Sequence, residues 1–200
     1  DNVGSGLTEI SILSELAFQE VKNISPNSSN QLNVVSEKAR QLIDNMSDIV
    51  WIVNPQRDSL YHLVLRLKDS YSDLLNSTGI SFKTSNLEKL SKTKLPMEYK
   101  QNLFLLFKEG INNAIKHSKC KKISFDVFYS KDIIELELKD DGIGINLETI
   151  KNGNGIINMK NRAKNIGGEM IINSTKEGTS LKFVGKIGGI KKYFLSFKNV

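Results

Sequence analysis

Apolar residues recur at alternating steps of four and three along the first segment: Val3, Leu7, Ile10, Ser14, Ala17, Val21 and Ile24, with one serine interrupting the row. After the turn-like stretch Ser25-Pro26-Asn27-Ser28-Ser29-Asn30 the spacing returns as Leu32, Val35, Ala39, Leu42, Met46, Ile49 and Val53. The spacing predicts two helices folded back as a hairpin. The second should end near Asn54-Pro55, because proline disfavours helical geometry in the residue before it. Ile12, Leu13, Leu16, Phe18, Val34, Ile43 and Val50 fall outside both rows. A lone hairpin cannot cover two apolar rows, so two hairpins from two chains are expected to form a four-helix bundle, a homodimerisation element. The alternative is a helical pair packed on its own downstream domain.

Beyond Pro55 the periodicity alternates between helix and strand. Leu60, Leu63, Val64, Leu67, Tyr71, Leu74 and Leu75 predict an amphipathic helix over 58–78, followed by a short strand over 80–83. Leu95-Pro96 opens a long helix to about Ser118, since proline suits a first helical turn and Leu103, Phe104, Phe107, Ile111, Ala114 and Ile115 recur at helical spacing. Alternating runs over 123–129 and 133–139 read as adjacent strands. A glycine-rich loop, a helix over 155–166 and strands over 169–174 and 179–186 complete one α+β domain.

The composition changes this picture little, but the charge divides it. The net charge is +6 over 200 residues, yet residues 1–54 hold seven acids and three bases, and residues 55–200 hold 15 acids and 25 bases. Two modules with different partners are expected. Only 8% of residues are aromatic and the bases are scattered, which argues against a nucleic-acid-binding dimer. A single cysteine, Cys120, cannot form an internal disulfide, so a reducing compartment fits better. No apolar run approaches the roughly 20 residues that cross a bilayer, and this stretch is expected to be soluble.

Four short elements carry candidate chemistry. Glu109, Asn113 and Lys116 share one face of the long helix, with Asn112 beside them. Paired asparagines cost helix stability unless a ligand or hydrogen bond uses them. An acid, an amide and a base on one stripe suit a hydrated Mg²⁺ ion and the phosphates it bridges; a solvated polar face is the alternative. Asp140-Asp141-Gly142-Ile143-Gly144 follows a strand, where an acid can accept from an exocyclic amine and glycines admit close backbone approach. Gly153-Asn154-Gly155 precedes a helix whose exposed amides could hold phosphate or merely form a cap. Gly178-Thr179 separates the last two strands. His62 reads as a surface or packing residue, Cys120 as structural, and Lys116, Lys119, Lys121 and Lys122 as a solvated basic edge.

Together, in this order, the elements resemble the motifs of the GHKL ATPases. Glu109 to His117 is similar to their N box, Asp140 to Gly144 to the first glycine box, and Gly153 to Arg162 with Gly167-Gly168 to the second. Gly178-Thr179 is similar to the closing Gly-Thr pair. Asp1 to Thr8 and Asn45 to Pro55 resemble the dimerisation helices of sensor histidine kinases whose phosphoacceptor His is followed by Asp. The resemblance implies a dimerisation and phosphoacceptor hairpin over 1–55, a GHKL ATP-binding sandwich with a mixed sheet packed on helices over 56–187, and a tail over 188–200. The acceptor His is expected one position before Asp1. It implies ATP and Mg²⁺ as cofactors, with Asp140 reading the adenine amine and Asn113 binding the metal. Glu109 and Asp1 would activate the incoming His, and Lys116, His117 and Thr179 would lie beside the nucleotide. Gly142, Gly144, Gly153, Gly155 and Gly178 would let loops close on it. The implied partners are a second copy and a response regulator, not nucleic acid, with the chain the cytosolic part of a membrane sensor. A GHKL ATPase without kinase chemistry is the competing implication. Ser5 stands where many relatives carry a glutamine that assists dephosphorylation of the regulator, which puts phosphatase activity in question.

Overall fold

The computed structural model describes residues 2–85, 87, 93–130, 133–145 and 154–186. The chain divides into two compact units, Asp1–Pro55 and Gln56–Val200.

The first unit is a helical hairpin, α1 (Asn2–Val21) and α2 (Pro26–Val53). Ser25 is extended and Pro26 opens α2, so most of the turn-like serine and asparagine run is helical: proline's fixed φ suits a first turn better than it suits a loop. Asn54 leaves helical geometry immediately before Pro55, as the proline rule requires. The expected apolar seam is only partly closed. Ser14 and Ala39 are buried, whereas Val3, Ile10, Ile24, Val35, Leu42, Ile49 and Val53 are exposed. Ser11 and Ser36, which lie outside the predicted rows, take the central contact between the helices, and Arg40 reaches across to Glu15 at 3.0 Å. Small serines let the helices approach closely, turning the larger apolar residues away from the hairpin's own interface.

The second unit packs helices on one face of a five-stranded mixed sheet. Its strands are β1 (Ser81–Thr84), β2 (Lys122–Ser130), β3 (Ile133–Asp140), β4 (Gly168–Thr175) and β5 (Gly178–Lys186), in the spatial order β1-β2-β3-β5-β4. β1 runs parallel to β2 and the other pairs are antiparallel. Register aligns Phe125, Leu138, Leu181 and Ile172 across four strands. Period-two alternation puts this row on the inner face. α5 (Met97–Asn113) lies over it, burying Leu103, Phe104, Leu106, Phe107 and Ile111, with Phe107 edge-on to Phe125 at 4.8 Å between ring centres.

The helix expected over 58–78 is interrupted. Ser59 caps α3 (Leu60–Ser70), Tyr71 leaves helical geometry, and α4 (Ser72–Thr78) follows, ending in left-handed Gly79. Tyr71 donates its hydroxyl proton to the Lys108 carbonyl of α5 at 3.0 Å, and this tertiary anchor overrides the local helical pattern. α6 (Asn154–Asn165) contributes Met159 and Ala163 to the core.

Candidate nucleotide site

The site is built where α5 ends. Glu109 and Asn113 stand one turn apart, and the Asn113 amide nitrogen donates to Glu109 Oε1 at 3.2 Å. With its nitrogen so engaged, Asn113 has its amide oxygen left to accept or coordinate. Gly110 lies between them, and a Cβ there would come 2.5 Å from Leu181 Cδ1 and 2.9 Å from Leu138 Cδ2. A glycine is what brings α5 this close to β3 and β5.

Past Asn113 the helix widens into a π-helical turn, Ala114–Ser118, which ends at left-handed Lys119. Such turns expose backbone groups and recur at functional sites. Here Ser118 gathers the freed groups. Its hydroxyl donates to the Ala114 carbonyl at 2.7 Å and accepts from the Cys120 amide at 3.1 Å, while its carbonyl accepts from the Ile143 amide at 2.8 Å.

Asp140 ends β3 beside this turn. The Gly142 amide donates to its Oδ1 at 2.9 Å. Burial pushes the Asp140 carboxyl above the ordinary range, and the amides of Gly142 and Thr179 with the Ser118 hydroxyl offset that only in part. Its neighbour Asp141 behaves oppositely: the Lys122 amide, then that of Lys121, hold it low, at 2.9 and 2.8 Å from its Oδ1.

Close backbone contacts fix the loops. A Cβ on Gly142 would overlap the Ser118 carbonyl oxygen, and one on Gly178 (φ 133°) the Asp140 carbonyl oxygen. Gly144 (φ 71°) lies equally close to the Thr175 carbonyl, while the Ile145 amide donates to Ser174 Oγ at 2.7 Å. The left-handed φ and the crowding both demand glycine at 144 and 178.

These elements enclose a cavity of about 330 Å³, within the range of small-molecule sites. Glu109, Asn113, His117, Asp140, Gly155 and Thr179 all line it, so six of the expected site residues converge. Gly142, Gly144 and Gly178 buttress it from behind. Gly155, in the first turn of α6, sits against Glu109, whose Oε1 would be 2.6 Å from an added Cβ. Lys116 is exposed on the π turn and does not line the cavity. Asp1 and Gly153 lie outside the described residues, as does the 188–200 tail. The sequence reading missed Ser118 and the apolar wall of Ile145, Ile156, Met159, Ile172 and Leu181. Register was the signal available for the last two, because Ile172 and Leu181 pair across β4 and β5.

Among the described residues no cluster of three or more His, Cys, Asp or Glu could hold a metal. At this site the Asn113 amide oxygen together with ligand oxygens would make a donor set that suits Mg²⁺. Cys120 is buried, which pushes its thiol up and makes it a poor nucleophile. His62 shares a 2.7 Å hydrogen bond with the Ser59 hydroxyl at the start of α3, a structural role.

Residues 98–187 match the family described as histidine kinase-, DNA gyrase B-, and HSP90-like ATPases. The sensor protein VraS of Staphylococcus haemolyticus is 31% identical over 91 residues, covering 44% of this chain, and VraS of Staphylococcus aureus matches to the same extent. The chain spans about a quarter, 26%, of the length of these relatives. The histidine kinase domain of the blue-light activated kinase of Erythrobacter litoralis EL346 superposes with a TM-score of 0.60 at 16% identity, covering 92% of this chain and 98% of that one. The Acinetobacter baumannii histidine kinase AdeS does so with a TM-score of 0.59 at 12% identity and the same coverages, a likeness of fold alone. Residues 98–187 thus match the histidine kinase-, DNA gyrase B- and HSP90-like ATPase family, and the chain resembles a sensor histidine kinase in sequence over part of its length and in fold over most of it.

Proposed function

We propose that the chain is the dimeric core of a sensor histidine kinase, which binds ATP with Mg²⁺ in the cavity and transfers the γ-phosphoryl group to a histidine one position before Asp1, for relay to a response-regulator aspartate. Residues 1–55 would be the dimerisation and phosphoacceptor hairpin and 56–187 the ATP-binding domain. Convergence of Asp140, Asn113 and Glu109 on one cavity is the observation that carries this reading.

Each residue has a task its position supports. Asp140, as an ionised acceptor, takes a hydrogen bond from the adenine amine, and the apolar wall formed by Ile145, Met159, Ile172 and Leu181 sandwiches the base. His117 also lines the cavity, from the π turn four residues beyond Asn113. The Asn113 oxygen would hold the metal, which when bound would supply positive charge against the nucleotide phosphates. Transfer breaks the bond from the γ-phosphorus to its bridging oxygen and forms one to the unprotonated imidazole nitrogen, while the proton on the other ring nitrogen must leave. Glu109, whose Oε1 accepts from the Asn113 amide, would be a candidate base to take it, with Asp1 a second candidate. Alignment and charge neutralisation supply most of such catalysis.

The exposed apolar residues of α1 and α2 support pairing of two hairpins into a four-helix bundle. No helix among the described residues is long and apolar enough to cross a membrane. The test is a chain extended upstream by its natural residues and incubated with ATP carrying a radioactive γ-phosphate. Label that is acid-labile, base-stable and lost on changing the residue before Asp1 is expected; nucleotide turnover without label would favour an ATPase without kinase chemistry.

A further inference from the structure

The loop that follows β3 is held at two places. In its first half the Gly142 amide donates to Asp140 Oδ1 and the Ile143 amide to the Ser118 carbonyl. Its second half rests on the hairpin of β4 and β5. There the Ile145 amide donates to Ser174 Oγ at 2.7 Å, and a Cβ on Gly144 would fall 2.9 Å from the same oxygen and overlap the Thr175 carbonyl. The close contact limits how near the loop can come, and the hydrogen bond supplies an attraction at that limit. Ser174 is half-buried and pairs directly across from Thr179 of β5, with their hydroxyl oxygens 3.4 Å apart. Ile145 and Thr179 line the cavity, whereas Ser174, which touches both, does not.

We propose that Ser174 is a positioning residue for the nucleobase: by accepting from the Ile145 amide, its hydroxyl seats the loop after β3 on the hairpin so that Ile145 closes the apolar wall, and it thereby sets affinity at the base end of the nucleotide rather than at its phosphates. The inference rests on the nucleotide reading of the site. A hydroxyl offers two lone pairs and one proton. The Ile145 amide takes a lone pair at 2.7 Å, at the short end of the range for such bonds, while the Thr179 hydroxyl stands at a longer 3.4 Å. The bond to Ile145 is therefore the stronger of the two. Without the hydroxyl, the amide either stays unsatisfied against the hairpin or turns outward to water, and either cost falls on the state in which Ile145 lines the cavity. Glu109 and Asn113, the groups on the metal and phosphate side of the reading, sit on α5 and hydrogen-bond to each other, so they do not depend on this contact.

The loss should therefore be blind to the metal. A defect on the phosphate side weakens binding chiefly when Mg²⁺ is present, whereas a displaced wall weakens it by the same factor with or without the ion.

The experiment titrates a nonhydrolysable ATP analogue, with and without Mg²⁺, into the full chain and its Ser174→Ala, Ser174→Val and Ser174→Thr variants. Thr and Val share one shape, suit a strand and differ in the hydroxyl, so any cost of the added methyl is common to both. The Ala variant should bind about three- to tenfold more weakly than the unsubstituted chain, and Val more weakly than Thr by a similar factor, equally in both conditions. Partial unfolding lowers the stoichiometry and leaves the affinity of the folded fraction readable; if Ala does not fold, the Val and Thr pair decides. In the unsubstituted chain the Ile145 amide should also exchange slowly with deuterated solvent. Equal affinity of Val and Thr, a loss confined to Mg²⁺, or an Ile145 amide exchanging as fast as an open loop overturns this inference alone. No binding by the unsubstituted chain overturns the nucleotide reading and this inference with it.

Discussion

Gly178 lies against the main chain of Asp140 so tightly that a single added methyl would overlap the Asp140 carbonyl oxygen, and its φ of 133° is open only to glycine. The turn between β4 and β5 is thus built onto the end of β3, and the position of the Asp140 side chain is set from behind. Gly178→Ala should displace β3 from that turn and lower affinity for an ATP analogue roughly tenfold or more, since a charge-assisted hydrogen bond contributes about 1.5–3 kcal/mol. Isothermal titration checks this, with circular dichroism confirming that the sheet persists.

Asp140 should cost the empty protein stability. Its folded carboxyl lies above its ordinary range, so the native state binds more protons than the unfolded state, and stability falls as pH rises from the ordinary carboxylate range through the raised value. Asp140→Asn removes that cost above the window. The expected outcome is a higher unfolding midpoint at neutral pH without nucleotide, together with loss of nucleotide binding; a lower midpoint would show that Asp140 is stabilising instead.

Glu137 on the opposite face of the sheet has the reverse sign. Burial pushes its carboxyl up, but the Ser180 hydroxyl at 2.6 Å and the Lys139 ammonium at 3.0 Å outweigh that, with Lys182 nearby, and hold it below the ordinary range. A lowered acid contributes stability above its unfolded pKa that is lost as pH falls through the folded value. Ser180→Ala should therefore destabilise by about 1–2 kcal/mol at neutral pH and by less in acid. Urea unfolding at two pH values reads the difference.

Leu42 and Ile49 are 50% and 60% exposed on α2. Replacing both with glutamate should convert a dimer to a monomer in analytical ultracentrifugation while leaving nucleotide affinity within about twofold, because the cavity lies wholly in the second unit.

Most of the second unit was legible from periodicity. Alternation placed β2 to β5 within a residue or two, and the four polar motifs contain Glu109, Asn113, His117, Asp140, Gly155 and Thr179, which line the cavity. What stayed hidden depends on tertiary contact. The break at Tyr71 follows from a hydroxyl reaching Lys108, 37 positions along the chain. The hairpin contact runs through Ser11 and Ser36, which a search for apolar rows passes over, because close approach of helices favours small side chains over large ones. Ser118 carries no motif of its own, and its weight comes from a π turn that helical spacing cannot foretell. The apolar wall is distributed over the β3–α6 segment, α6, β4 and β5, so no local stretch announces it.

The most direct test is calorimetric titration of a nonhydrolysable ATP analogue with Mg²⁺ into the chain, its Asp140→Ala variant and its Asn113→Ala variant. The account predicts saturable binding to the first, none to the second, and binding to the third weakened about tenfold or more in the presence of Mg²⁺ with little change in its absence. Equal affinity for all three proteins would contradict it.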